Sequence, residues 1–279
     1  MSPTLNLHVS RRHFIRTGAV GTAALGLGLS ALSASRKKIP IGLQLWSIHE
    51  ACKKDLPKAL RTVAEIGYQG VEFAGYYDLQ AKELRKMLDD HGLVCCGTHT
   101  PLETIQPENL AATIEFNQVL GNQYLIVPWM DLKSKDAWLA KARLFTEQVP
   151  KVKAAKMVLG YHGYQGQLYD GVSGRDLFFG NTPPDVAMQI DTSSCVLYKV
   201  DPVEVVKKYP GRSRTIHLKE CGGPQFAAIG EGEVNFKALL DACEQVGGTE
   251  WYIVEDERGG DALDTVRRCN KGMKELGRA

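Results

Sequence analysis

The chain has 279 residues, 44% of them hydrophobic and 24% charged, the make-up of an ordinary globular protein. Three arginines in the first 35 residues, Arg11, Arg12 and Arg16, with no acid among them, turn a charge of −1 for the remainder into the formal +2. A near-neutral protein offers no electrostatic case for nucleic acid or an anionic membrane as partner.

Residues 1–35 read as an export signal. Ser10-Arg11-Arg12-His13-Phe14-Ile15-Arg16 precedes a weakly apolar run from Thr17 to Leu32, diluted by glycine and followed by Ser33-Ala34-Ser35. This resembles a twin-arginine signal, which implies the twin-arginine translocation machinery as a partner and a periplasmic or otherwise exported protein. The run is shorter than the ~20 residues that span a bilayer, so no stable membrane anchoring is expected.

Apolar runs and helical spacing then alternate along the chain. Strands are predicted over 41–46, 70–73, 93–99, 124–129, 157–162, 186–191, 214–219 and 251–255. Helices are predicted over 56–66, 79–88, 109–120, 134–153, 176–181 (the weakest), from 201 onward, over 235–246 and over 261–276. Asp201-Pro202 opens its helix with a cap and a first-turn proline. Eight strand–helix units without a linker argue for an α/β protein, a single (β/α)8 TIM barrel over 39–277. An open doubly wound sheet would more often carry a glycine-rich phosphate turn after its first strand, and Trp46-Ser47-Ile48-His49 is not one. The seven cysteines (52, 95, 96, 195, 221, 243 and 269) fit neither a thiolate metal site nor a disulfide framework, and they read as buried small apolar residues. Cys95 and Cys96, adjacent in a strand, are expected on opposite faces.

Parallel strands bring their C-terminal ends to one face. The polar residues at those ends are Glu72, His99, His162, Asp191, His217 with Lys219, and Glu255. So many ionisable groups gathered in one place need a cation or a hydrogen-bond network to compensate them. Asp, His and Glu together suit Mn²⁺, Co²⁺, Zn²⁺ or Mg²⁺.

Gly42-Leu43-Gln44-Leu45-Trp46-Ser47, Gly70-Val71-Glu72-Phe73, Gln189-Ile190-Asp191, His217-Leu218-Lys219-Glu220, Gly230-Glu231-Gly232 and Val254-Glu255 resemble the xylose isomerase-like TIM barrels known as sugar phosphate isomerases/epimerases. The resemblance covers about residues 39–277. It implies one divalent metal, most often manganese, held by His162, Asp191, His217 and Glu255, and a small carbohydrate substrate. Relatives usually carry His-Asn-His followed by Glu-Phe after the fifth strand, where this chain has His162-Gly163-Tyr164-Gln165-Gly166-Gln167-Leu168. The D-tagatose 3-epimerase branch has a glutamate in place of His162. Its substrate-binding histidine and arginine are also replaced, with Ser194 and Gly223 near those positions.

The expected chemistry is an isomerisation or epimerisation in which a ketose or keto-sugar chelates the metal and passes through an enediolate. Glu255 would be ligand and base, His99 or His162 would polarise a hydroxyl, and Lys219 would neutralise an oxyanion unless it is tied to Glu220 or Asp191. Glu72 would act in catalysis or only orient an interior partner. The alternatives are a lyase of the inosose dehydratase-like type, which expels a β-oxygen from the same enediolate, and an exported non-catalytic sugar-binding barrel. An endonuclease IV-like site needs about three zinc ions and more ligands than the five histidines beyond residue 35 supply.

Overall fold

In the computed structural model, which describes residues 38–163 and 166–278, the expected alternation is present. The elements in order are β1 (Ile41–Gln44), α1 (His49–Lys54), α2 (Leu56–Ile66), β2 (Gly70–Ala74), α3 (Ala81–Asp89), β3 (Val94–His99), α4 (Leu110–Leu120), β4 (Tyr124–Val127), α5 (Lys135–Ala154) and β5 (Val158–His162). There follow β6 (Leu168–Tyr169), β7 (Val172–Ser173), α6 (Gly174–Phe179), β8 (Ala187–Gln189), α7 (Thr192–Leu197), α8 (Pro202–Lys208), β9 (Thr215–Leu218), α9 (Phe236–Ala242), β10 (Trp251–Val254) and α10 (Ala262–Glu275). Eight strands form one parallel sheet in the order β8-β5-β4-β3-β2-β1-β10-β9, and β6 and β7 make a small antiparallel pair of their own. The seam between β8 and β9 is drawn together by a parallel bridge of Asp191 with His217 and by a bond from His217 N to the Ile190 carbonyl, 2.8 Å. The chain is thus a (β/α)8 barrel.

Strands β1, β4 and β9 are buried along their whole length, as expected of a parallel sheet covered on both faces. Helix α2 shows how the outer layer is fixed. Asp55 accepts from Lys58 N at its start, Gly67 ends it at φ 106°, and Leu56, Ala59, Leu60, Val63 and Ile66 face inward. Helix α6 begins two residues before the predicted one. Its Leu177, Phe178 and Phe179 are buried, with Phe178 edge-on to Phe145 at 4.8 Å. An element buried nearly all round has no polar face, so periodicity gives it little signal.

Several strands end earlier than their apolar runs. β1 stops at Gln44 because the Gln44 side chain accepts from Trp46 N, 3.0 Å, and the chain winds into a tight turn over Leu45–Ile48. β4 stops at Val127, before Pro128, which has no N–H for the ladder. β8 stops at Gln189, and Asp191 instead caps α7, a helix absent from the sequence reading. All seven cysteines are free thiols, six buried and Cys221 partly so. Cys95 pairs with Val71 and Gly97 with Glu72, so Cys96 is the extra residue of a local register shift, and strict alternation does not hold there. No described helix is long and apolar enough to cross a membrane.

Candidate metal centre and substrate cavity

The C-terminal strand ends surround a cavity of 630 Å³ whose wall includes His99, His162, Asp191, Lys219, Glu255 and Glu257. His162, Asp191, His217 and Glu255 each present one ligand atom, and these atoms lie within 4.8 Å of one another. His99, His162 and His217 form a second such group. The structure therefore brings the four residues of the sequence-derived ligand set to one point, with His99 and Lys219 at the same wall.

Each side chain is oriented by its surroundings. The Asp191 Oδ1 atom accepts from Ser194 N at 2.7 Å and from Ser193 Oγ at 2.8 Å. Its Oδ2 atom is left facing His162 Nε2 at 3.9 Å and Lys219 Nζ at 4.0 Å. A strand-end acid here is both a helix cap and a member of the cluster. His162 Nδ1 lies 3.2 Å from the Pro128 carbonyl and donates to it, which fixes the tautomer and leaves the lone pair on Nε2. That Nε2 is buried without a hydrogen-bond partner. Burial, reinforced by the positive charge of His217 and by His99, pushes the ring down to about 4, so it is neutral.

His217 is fully buried between two carboxylates, with Nδ1 3.0 Å from Glu255 Oε2 and Nε2 2.5 Å from Glu72 Oε2. Burial disfavours its charge, but Glu72 and Glu255 outweigh that and raise it to about 10. Glu255 is likewise opposed by burial, yet His217 holds it well below the usual carboxylate range, with help from Lys219 at 3.7 Å. Lys219 forms its closest ion pair with Glu257, a partner the sequence reading did not name. Burial disfavours the ammonium, and Glu255, Asp191 and Glu257 together keep it charged. Glu220 does not pair with Lys219. It is buried and accepts from the backbone N–H groups of Cys221, Gly230 and Val234, fixing the loop after β9.

Glu72 lies beneath the cavity, fully buried and outside its wall. Its Oε2 accepts from Gln44 Nε2 at 2.8 Å and from His217, and its Oε1 accepts from Gln189 Nε2 at 2.8 Å. Burial would raise its carboxyl, but the imidazoles of His99 and His217 and the Gln189 bond bring it to about 2. Gln189 Oε1 in turn accepts from His99 Nε2, 2.9 Å, which fixes the orientation of the His99 ring. Strand β3 gives up a side chain to admit the carboxylate, because a Cβ at Gly97 would stand 2.5 Å from Glu72 Oε1.

Two imidazoles and two carboxylates, with His162 bearing an unsatisfied buried nitrogen at the cluster, fit a divalent cation once His217 gives up one of its two ring protons. Glu72, Gln44 and Gln189 fit the layer behind such a site, orienting His217 and His99 without reaching the cavity. Sequence reasoning passed over the two glutamines. The signal available was an amide at a buried strand position, which needs partners in the interior. Of the two residues expected near the replaced substrate-binding positions, Ser194 lines the cavity and Gly223 does not. Gln167 is also absent from the described wall, and Tyr164 and Gln165 lie outside the described residues.

The two perturbed histidines give the metal-free protein a definite pH profile. His162 has a folded value below its ordinary 6.5, so its contribution is present above 6.5 and is lost as pH falls toward about 4. The folded value of His217 is above 6.5, so its contribution is full below 6.5 and is lost as pH rises through about 10. Chelator-treated protein is therefore expected to be most stable near pH 6.5 in thermal unfolding, and His162→Ala should flatten the acid limb. A metal-free profile that rises steadily from pH 5 to 9 would contradict this arrangement.

An eight-stranded parallel barrel with an imidazole–carboxylate cluster at its C-terminal strand ends defines a (β/α)8 protein with its site on the customary face. Residues 60–274 match the xylose isomerase-like TIM barrel family, and the chain belongs to that family. Residues 8–28 match the twin-arginine translocation pathway signal, so the chain carries the address for that export route; the expected signal, residues 1–35, lies outside the described residues. An inosose dehydratase of Lacticaseibacillus casei is 24% identical over 261 residues, spanning 78% of this chain and 88% of that protein. A rhizopine catabolism protein of Rhizobium meliloti is 19% identical over 268 residues, spanning 80% and 81%. Among solved structures, a sugar phosphate isomerase/epimerase from Parabacteroides distasonis superposes with a TM-score of 0.74 at 25% identity, covering 85% of this chain and 98% of that one. An L-ribulose 3-epimerase gives 0.65 at 15% identity, covering 86% and 96%.

Proposed function

We propose that residues 39–277 form an exported, divalent-metal-dependent isomerase or epimerase that acts on a ketose or keto-sugar by moving the proton next to its carbonyl. The observation that carries this reading is the set of four ligand atoms within 4.8 Å, three of whose residues, His162, Asp191 and Glu255, line a cavity large enough for a sugar. On this reading residues 1–35 are the signal, and the protein works in the periplasm. The ion, for which manganese is the first candidate and cobalt, zinc and magnesium also suit the ligands, would be held by His162, Asp191, His217 and Glu255 and would supply Lewis-acid polarisation of adjacent substrate oxygens.

The chain's own groups divide the remaining work. Glu255 is kept ionised by His217 and Lys219 and is the carboxylate placed to take and return the proton. His99 is locked by Gln189 at the cavity wall, where its ring can polarise a substrate hydroxyl. Lys219 keeps a positive charge at the cavity wall, where a developing oxyanion is stabilised. Glu72 positions His217 and does not touch substrate.

One observation favours a second reading, elimination. The carboxylate of Glu255 stands 3.7 Å from the Lys219 ammonium, and across the cluster is the neutral His162 where an epimerase has a second carboxylate. A base next to a cationic acid suits removal of a proton followed by protonation of a departing oxygen, the reaction class named for the Lacticaseibacillus casei relative. Manganese-loaded protein incubated with keto-sugars and keto-glycosides in deuterated water separates the two. Deuterium entering product without loss of water or aglycone is the expected isomerase result, and an unsaturated product moves the assignment to lyase. Bound metal with neither exchange nor product across the panel leaves only a binding barrel.

A further inference from the structure

The cavity wall carries two features that bear on which substrate it admits. The first is a pair of exposed tryptophans. Trp46, just past β1, is 44% exposed, and Trp129, just past β4, is 63% exposed. Both line the cavity, and β2 and β3 lie between their strands in the sheet. Trp46 is backed on one face by the His49 ring, 4.6 Å away and 16° from parallel, and His49 Nδ1 donates to the Trp46 carbonyl at 2.8 Å. A large aromatic face held in place at the mouth of a polar cavity is a stacking platform for the C–H face of a sugar or for an aryl ring.

The second feature is the charge of the wall. Among the described lining residues the acids are Asp191, Glu255 and Glu257, and Lys219 is the one Lys or Arg. Lys219 lies within 4.0 Å of all three carboxylates. A phosphate group entering beside the proposed metal meets no further cationic side chain, because Lys219 is already shared among these acids, and it meets Glu257, which lies outside the proposed ligand set.

We infer that the cavity takes an uncharged glycoside rather than a sugar phosphate, with the reacting ring at the His/Asp/Glu cluster and the second ring or aglycone stacked on Trp46 and Trp129. The inference rests on the proposed site for the location of the reacting ring, but not on turnover there. The test is a ligand-observed NMR titration of the metal-loaded protein with glucose, galactose, their phenyl glycosides and their 6-phosphates. The phenyl glycosides are expected to bind about tenfold more tightly than the parent sugars, the size of one good aromatic stack. In Trp129→Ala and in Trp46→Ala that ratio should fall toward one, and the 6-phosphates should bind no more tightly than the free sugars. A ratio of one in the unaltered protein, a ratio that survives both substitutions, tightest binding by a 6-phosphate, or no binding by any of the six overturns the inference. Tighter phenyl glycoside binding in a protein that turns over nothing would sink the enzyme reading alone. Proton exchange on free keto-sugars without that gain would sink this one alone.

Discussion

His217→Ala is expected to lose its divalent metal and all turnover. The imidazole is at once a member of the four-residue ligand set and the one group that lies directly between the carboxylates of Glu72 and Glu255. Its removal leaves two buried acids facing a void with no cation between them. Breaking a buried pair by deleting one partner costs about 3–5 kcal/mol, so the metal-free variant should also unfold at a clearly lower temperature. Elemental analysis beside thermal unfolding reads both effects, with about one equivalent of metal expected in the unaltered protein and none in the variant. A folded variant that retains a full equivalent would remove His217 from the ligand set and discard the metal centre as drawn.

Glu72→Gln should weaken metal binding by roughly 10–100-fold while leaving the barrel folded, which is the usual effect of disturbing the layer behind a metal ligand. Glu72 reaches no cavity surface, so its influence passes through His217, whose Nε2 it holds at 2.5 Å, and through the two glutamines that bond its oxygens. An amide keeps the shape but turns one acceptor into a donor that faces Gln44, Gln189 or His217. Competition against a chelator of known affinity measures the loss, and turnover should recover at saturating metal. Unchanged affinity would reduce Glu72 to a packing residue, and lost turnover at full occupancy would return it to the reacting groups.

The sequence carried the barrel because each strand–helix unit has its own local signal, as in the capped, amphipathic α2 with Gly67 behind it. It carried the strand-end residues because parallel strands share one functional face, which makes His162, Asp191, His217 and Glu255 neighbours despite their separation along the chain. What it did not carry were pairings made across the fold. Lys219 is expected against Glu220 or Asp191 and does lie 4.0 Å from Asp191, but its closest partner, Glu257, comes from the loop after β10, while Glu220 is turned into backbone N–H groups of its own loop. Gln44 and Gln189 read as ordinary strand residues, since nothing local says that two amides from distant strands will meet on one carboxylate. Helix α7 was hidden because Asp191, taken as the end of a strand, is also the cap of the helix.

Gly97 sets a rule for anyone redesigning this barrel. It contributes no charge, no donor and no ligand, and a survey of the site by chemical type passes over it. Yet the space that its missing side chain leaves is the space Glu72 fills. Positions 72 and 97 are therefore a single design choice. A carboxylate at the first demands an empty second, and restoring even a methyl group at 97 asks the buried carboxylate to move away from the histidine it orients.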